Sequence, residues 1–209
     1  MQILFSDYAR GAGTTTDLVN TSPLVRSAGE ALPGTGALAR FFAEHGMDVP
    51  APTADDLAAV HALRGELRAL LDGAEQHAPS ENALPEGAPS EGALSEGALS
   101  EGALSEGANA LLARVAVVPV LRRDGEERWQ WYLDTAPDTT PADQLAALAA
   151  TGILGTLRTL GQGRFRPCAA PDCAGTFIDT SRAGRRRYCM PDLCGNRQNV
   201  ANHRARRGS

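Results

Sequence analysis

CAAPDCAGTFIDTSRAGRRRYCMPDLCGNR, residues 168–197, holds all four cysteines of a 209-residue chain. They fall as two pairs, Cys168-x4-Cys173 and Cys189-x4-Cys194, with fifteen residues between the pairs. Two thiol pairs joined by a hairpin-sized connection form the ligand pattern of a closed tetrahedral zinc (Zn2+) site. Iron–sulfur ligation is the competing metal reading, and two disulfides are the remaining one. Pro167, Pro171 and Gly175 favour a tight knuckle at the first pair. GTFID (175–179) and RRRYC (185–189) are expected to pair as strands across a Ser181–Gly184 turn. Pro191-Asp192 then opens a helix with Cys194 in or near its first turn. Knuckle, hairpin and helix make a treble-clef-like finger, and four soft ligands with no open position make its metal structural rather than catalytic.

Charge separates this region from the rest. From residue 164 to 209 there are ten arginines against Asp172, Asp179 and Asp192, a net +7, while residues 1–163 carry −12. Such asymmetry fits an acidic body with a tail for a polyanion. The chain has no lysine, and guanidiniums suit phosphate forks and guanine edges, although an Ala/Gly/Arg-rich composition accounts for the bias equally well. On a helix from about Asp192 to Arg206, Asn196, Asn199, His203 and Arg206 share one polar face. Arg197, Arg204 and Arg207 flank it, and Leu193, Val200 and Ala201 turn to the finger's small core. Amides and guanidiniums so arranged read base edges in a major groove; a solvated face with a basic tail has the same pattern. Asn196 and Arg197 have a second reading, tying the helix to the hairpin and the thiolates. Arg185, Arg186 and Arg187 lie on a strand expected to leave all three guanidiniums outside, where they would meet DNA phosphates.

Further out, ILFSDY and TTTDLVN read as short strands around a Gly-Ala-Gly turn. ALARFFAEHGM is a helix ended by Gly46. TADDLAAVHALRGELRALLDG is the best helix, with Thr53 as N-cap and a stripe of Leu57, Val60, Leu63, Leu67 and Leu70. Residues 81–108 repeat with a period of five, which smears Leu94, Leu99 and Leu104 around a helix and places a glycine every five residues from Gly87 on. The repeat is expected to be a flexible acidic insertion, dispensable for folding, rather than a pentapeptide β-helix. After a short helix around Ala108–Arg114, VAVVPVLRRDGEERWQWYLDT reads as a hairpin turning at Asp124-Gly125. Trp129, Trp131 and Leu133 lie on one face; the tryptophans are expected in the core rather than lining a ligand pocket, and Pro119 at an edge or bulge. PADQLAALAATGILGTLRTLG is a helix delivering the chain to the cysteines.

The expected fold is α+β. A mostly helical N-terminal body with a central β-hairpin spans 1–162 and carries the insertion at about 81–108. A treble-clef-like zinc finger with a basic C-terminal helix spans 163–209. No run of about 18 apolar residues and no basic-then-apolar leader is seen, so no membrane association is expected, and the thiols are placed in a reducing cytoplasm.

Cys194-Gly195-Asn196-Arg197, preceded by RRRYC and followed by arginine-rich sequence, resembles the CGNR zinc-finger family. DLVNT at 17–21, with the helical body and mid-domain hairpin, is similar to the ABATE domain that commonly precedes that finger. The resemblance implies a stress-linked bacterial transcription regulator that binds DNA through the finger. It implies Cys168, Cys173, Cys189 and Cys194 as zinc ligands, with Asn196 and Arg197 as signature residues beside them. The leading expectation is thus a zinc-dependent DNA-binding regulator whose body senses a small-molecule effector or self-associates. A protein- or RNA-interaction module is the alternative. An enzyme is not expected: there is no Ser/His/Asp set or phosphate-binding loop, and His45, His61 and His77 are scattered.

Overall fold

The computed structural model describes residues 1–76 and 91–196. At its centre lies α5 (Pro141–Leu160), whose middle is almost entirely alanine, leucine and glycine and is buried on nearly every side. Thr140 caps it by accepting a hydrogen bond from the Asp143 backbone N–H, with Pro141 in the first turn. Around α5 pack α1 (Tyr8–Val19), α3 (Ala54–Gln76) and α4 (Glu91–Ala113), while α2 (Thr35–Glu44) lies on α3. Gly46, at φ +62°, ends the α2 segment.

The α1–α5 crossing is made backbone to backbone. A methyl group on Gly11 would run into the Leu148 carbonyl and the backbone of Gly152, and one on Gly152 would run into Gly11 and Ala12. This corrects the expectation of a strand at TTTDLVN, which belongs to α1. Only the preceding segment is extended, as β1 (Gln2–Leu4). Threonine favours strands by propensity, but here Thr14 and Thr15 return their hydroxyls to the carbonyls of Arg10 and Gly11 one turn back. Gly11 and Ala12 of the Gly-Ala-Gly stretch serve close packing, not a turn, whereas a methyl on Gly13 would meet open space.

In α3 the expected cap and stripe are present. The Asp56 N–H donates to the Thr53 hydroxyl, and the Thr53 N–H donates to the Asp56 carboxylate. Val60, Leu63, Leu67 and Leu71 are buried, with Leu57 and Leu70 at the margin.

The pentad repeat requires a second correction. Residues 81–90 lie outside the described residues, but Glu91–Ala113 is one continuous helix that absorbs the short helix expected from Ala108. Leu104, Ala108, Leu111 and Val115 are all buried in the main core. Their spacing of four, three and four continues a helical stripe that takes Leu104 and Ala108 from the repeat, Leu111 from the helix beyond it and Val115 from the turn that follows. A period-five count over the repeat alone cannot reveal it. Small residues help: a methyl on Gly107 would press on Leu70 of α3.

β1 joins β2 (Val117–Arg123) and β3 (Trp129–Thr135) in an antiparallel sheet of order β1-β3-β2, with Pro119 on the β2 edge as expected. Ile3 faces Leu133 across β1 and β3, and both are buried. Trp129 and Trp131, expected in the core with Leu133, are instead exposed. The hairpin runs out beyond the helices, so alternate positions toward its tip have no helix to pack on. Among the described residues, the start of the C-terminal region is joined to the body's core. β4 (Phe165–Pro167) pairs with β5 (Thr176–Ile178), and Phe165 and Ile178 belong to the same core as the helices. Among the described residues, no helix is long and apolar enough to cross a membrane.

Leu104→Ala should therefore destabilise the protein by about 2–5 kcal/mol, the range for emptying a core leucine site. Denaturant titration followed by far-UV circular dichroism measures it. A change near zero would restore the repeat to the status of a dispensable insertion.

Candidate metal centre

The four cysteines converge from three short segments. Cys168 follows β4, and its N–H donates to the Gly175 carbonyl (2.8 Å), closing a knuckle that contains Asp172 at φ +58°. Cys173 lies in that turn. Cys189 arrives on the RRRYC segment, which runs alongside the knuckle through Ala169 N–H to Arg187 carbonyl (2.8 Å). Cys194 is buried in a wide helical turn, Pro191–Gly195, with Pro191 at its start. RRRYC does not pair with GTFID: the partner of β5 is β4, so the two strands of the finger's hairpin flank the knuckle, which forms its loop.

All four Sγ atoms lie within 4.8 Å of one another. Cys173 stands 3.7 Å from Cys189 and 3.6 Å from Cys194, and Cys189 stands 3.8 Å from Cys194. A tetrahedron with metal–sulfur bonds of about 2.3 Å has edges of ~3.8 Å, so the donor set fits one four-coordinate ion. A multi-iron cluster would hold its sulfurs further apart, and none of the cysteines is disulfide-bonded. Burial, and then the neighbouring thiols, push the Cys189 thiol far up; burial is also the main cause that raises Cys194, to about 11. At Cys168 burial opposes ionisation, but hydrogen bonds from the backbone N–H groups of Cys189 and Ala170 and from the neighbouring thiols together lower the thiol. Four thiolates this close need a cation to coexist, and metal uptake would release protons.

A second layer holds the thiol-bearing segments. The Arg186 guanidinium donates to the carbonyls of Tyr188 (3.0 Å) and Cys189 (2.5 Å) and stacks 4.9 Å over the buried Phe177 ring. Its backbone N–H donates to Asp179, which also accepts from Ser181 N–H and is fully buried. Arg186 is thus turned inward, a correction to the expectation that all three arginines lie outside; Arg185 and Arg187 are exposed. Leu193, expected to face the finger's core, is also exposed. Asn196 is exposed and donates to the Asp192 carbonyl of its own turn (2.7 Å). Arg197, Asn199, His203, Arg204, Arg206 and Arg207 lie outside the described residues.

Sequence reasoning missed how the body holds this site. The Asn20 side chain, at the end of α1, donates to the Thr176 carbonyl (2.7 Å) and accepts from the Thr176 N–H (3.3 Å). One turn earlier, the Thr16 hydroxyl accepts from Ile178 N–H (3.0 Å). Two side chains of α1 thereby take the role of a neighbouring strand for β5. A methyl on Gly175 would strike both Cys189 Sγ and Asn20, so metal site and clamp meet at a glycine. Asp179 and Asn20 were visible only as polar residues in short motifs. Beside Asn20 on α1 lies a polar cavity of about 270 Å3, lined among others by Asp17, Thr21, Arg26, Arg40 and His45. Partial burial raises the Asp17 carboxyl and lowers the His45 ring.

Asn20→Ala removes two buried hydrogen bonds to β5 and should cost about 1–3 kcal/mol. Thermal unfolding of the metal-loaded protein checks this. An unchanged melting temperature would show that β5 does not depend on α1.

Among known proteins, no curated sequence matches this chain. Family models do. Residues 164–207 match the CGNR zinc finger, and residues 14–159 match ABATE, described as "Putative stress-induced transcription regulator". With more than half its length inside the second model, the chain belongs to the ABATE family, and its four-cysteine site is that of a CGNR zinc finger.

Proposed function

We propose that the protein is a zinc-dependent DNA-binding transcription regulator that works in the cytoplasm as a binding protein, not a catalyst. The carrying observation is the sorting of the arginines around the metal site. Arg186 is consumed in holding Cys189, whereas Arg185 and Arg187 on either side point outward and form no ion pair among the described residues. In a region of net +7 these two guanidiniums suit phosphate contacts, which supply salt-dependent affinity without reading sequence. Base reading is assigned on sequence grounds to Asn196, Asn199, His203 and Arg206, with Arg197, Arg204 and Arg207 beside them. Cys168, Cys173, Cys189 and Cys194 would hold the zinc ion, which when bound offsets half of the charge of four thiolates and fixes the finger. Signal reception is assigned to the cavity beside Asp17 and Thr21, because the same end of α1 clamps β5 through Thr16 and Asn20.

Two measurements test this. Elemental analysis of purified protein should find about one zinc per chain, and Cys189→Ser should lose it; iron, or no metal, contradicts the reading. With zinc loaded, Arg187→Ala should shallow the log–log salt dependence of duplex binding by up to about 0.9. Arg186→Ala should instead lower zinc retention and thermal stability. No salt-dependent duplex binding by the zinc-loaded protein would transfer the finger to a protein or RNA partner.

A further inference from the structure

The sheet carries an apolar surface that neither the metal site nor the DNA reading uses. On the face that is buried at Ile3 and Leu133, the outer positions are open to solvent: Trp129 is 60% exposed, Trp131 54% and Leu121 44%. Leu121 lies directly opposite Trp131 and Arg123 opposite Trp129 in the β2–β3 register, so these side chains share that face. Phe5, 46% exposed, follows β1 and donates its N–H to the Trp131 carbonyl, extending the row across the sheet. The Arg123 guanidinium stacks 4.9 Å over Trp129. Tryptophan and arginine are the residues that most often anchor protein interfaces.

We infer that this face is a homodimer interface, pairing the sheets of two copies of the chain face to face. Charge argues against a polyanion and leaves a second copy least opposed here. Residues 117–135 contain three arginines and four acids, net −1, in a body of net −12. A polyanion has no attraction to this face, and two acidic bodies repel least where they meet through their nearly neutral hairpins. Area agrees. At about 150–250 Å2 for a whole aromatic side chain, the exposed parts of Phe5, Leu121, Trp129 and Trp131 leave roughly 400 Å2 per chain. Pairing two copies covers about 800 Å2, most of the apolar share of a standard ~1,600 Å2 interface. Edge-to-edge pairing through β2 is disfavoured, because Pro119 in the middle of that strand has no N–H to donate.

The inference is independent of the DNA reading, and its test contains no DNA. Trp129 and Trp131 are the only tryptophans in the chain, so intrinsic fluorescence reports on this face alone. For the full-length, metal-loaded protein, sedimentation should give a dimer at high concentration. Dilution should produce a mass fall and a red shift in emission with a common midpoint. Leu121→Glu should weaken dimerisation by at least about thirty-fold with unchanged circular dichroism. Val118→Glu, an exposed position on the opposite face of the sheet, should leave the dimer intact. A monomer with water-exposed emission at every concentration would overturn the inference and point to another protein as occupant. Concentration-independent blue-shifted emission would do the same and point to cover from within the chain. A dimer unaffected by Leu121→Glu would place the interface elsewhere.

Discussion

The contact of Gly11 with Gly152 positions the helix on which the metal site hangs. Helix backbones can approach this closely only where neither residue has a side chain, and the two glycines sit at the crossing point. That contact fixes α1 against α5, and α1 in turn presents Thr16 and Asn20 to β5. β5 starts directly after the knuckle that bears Cys168 and Cys173, and the buried Asp179 follows it. The metal site therefore inherits its geometry from a helix crossing in the body. Metal binding and body folding are linked through one strand, because any species that binds the native site stabilises what holds that site together.

This arrangement suits a regulator. A small domain whose thiol site hangs on two hydrogen-bonding side chains of one helix can be altered from the body with modest displacement at the α1 terminus. The polar cavity at Asp17, Thr21 and Arg26 adjoins that terminus, and Arg26 itself donates to the Asn20 carbonyl. The acidic body and basic C-terminal region carry opposite charge, so under the proposed DNA-binding function a polyanion would be drawn to the finger and repelled by the helices.

The finger was the most legible part of the sequence because its chemistry is written in residue type. Thiols in two pairs, a proline that starts a helical turn and glycines at the knuckle all mean what they say locally. The strand partner of GTFID was not legible, since the competing segments, residues 165–167 and RRRYC, are both short and the choice depends on Phe165 and Ile178 entering the body's core. α1 was misread because Gly11 answers to Gly152, over a hundred residues away, and local propensity speaks only of turns and strands. The pentads misled for a related reason: the stripe of Leu104, Ala108, Leu111 and Val115 crosses the end of the repeat. Trp129 and Trp131 alternate correctly with Leu133, but alternation does not say how far along a strand the core extends. Arg186 shows the same limit in one residue, with a charge that reads as surface yet is spent on backbone carbonyls and the face of Phe177.

The claim that body and finger form one cooperative structure is tested most directly by native-state hydrogen exchange on the metal-loaded protein. The Ile178 amide, bonded to Thr16, and the α5 amides around Gly152 should exchange through the same global opening, their protection falling in parallel as denaturant is raised. If Ile178 exchanges through a separate and easier opening while the α5 amides remain protected, the finger is an independent appendage and the account is contradicted.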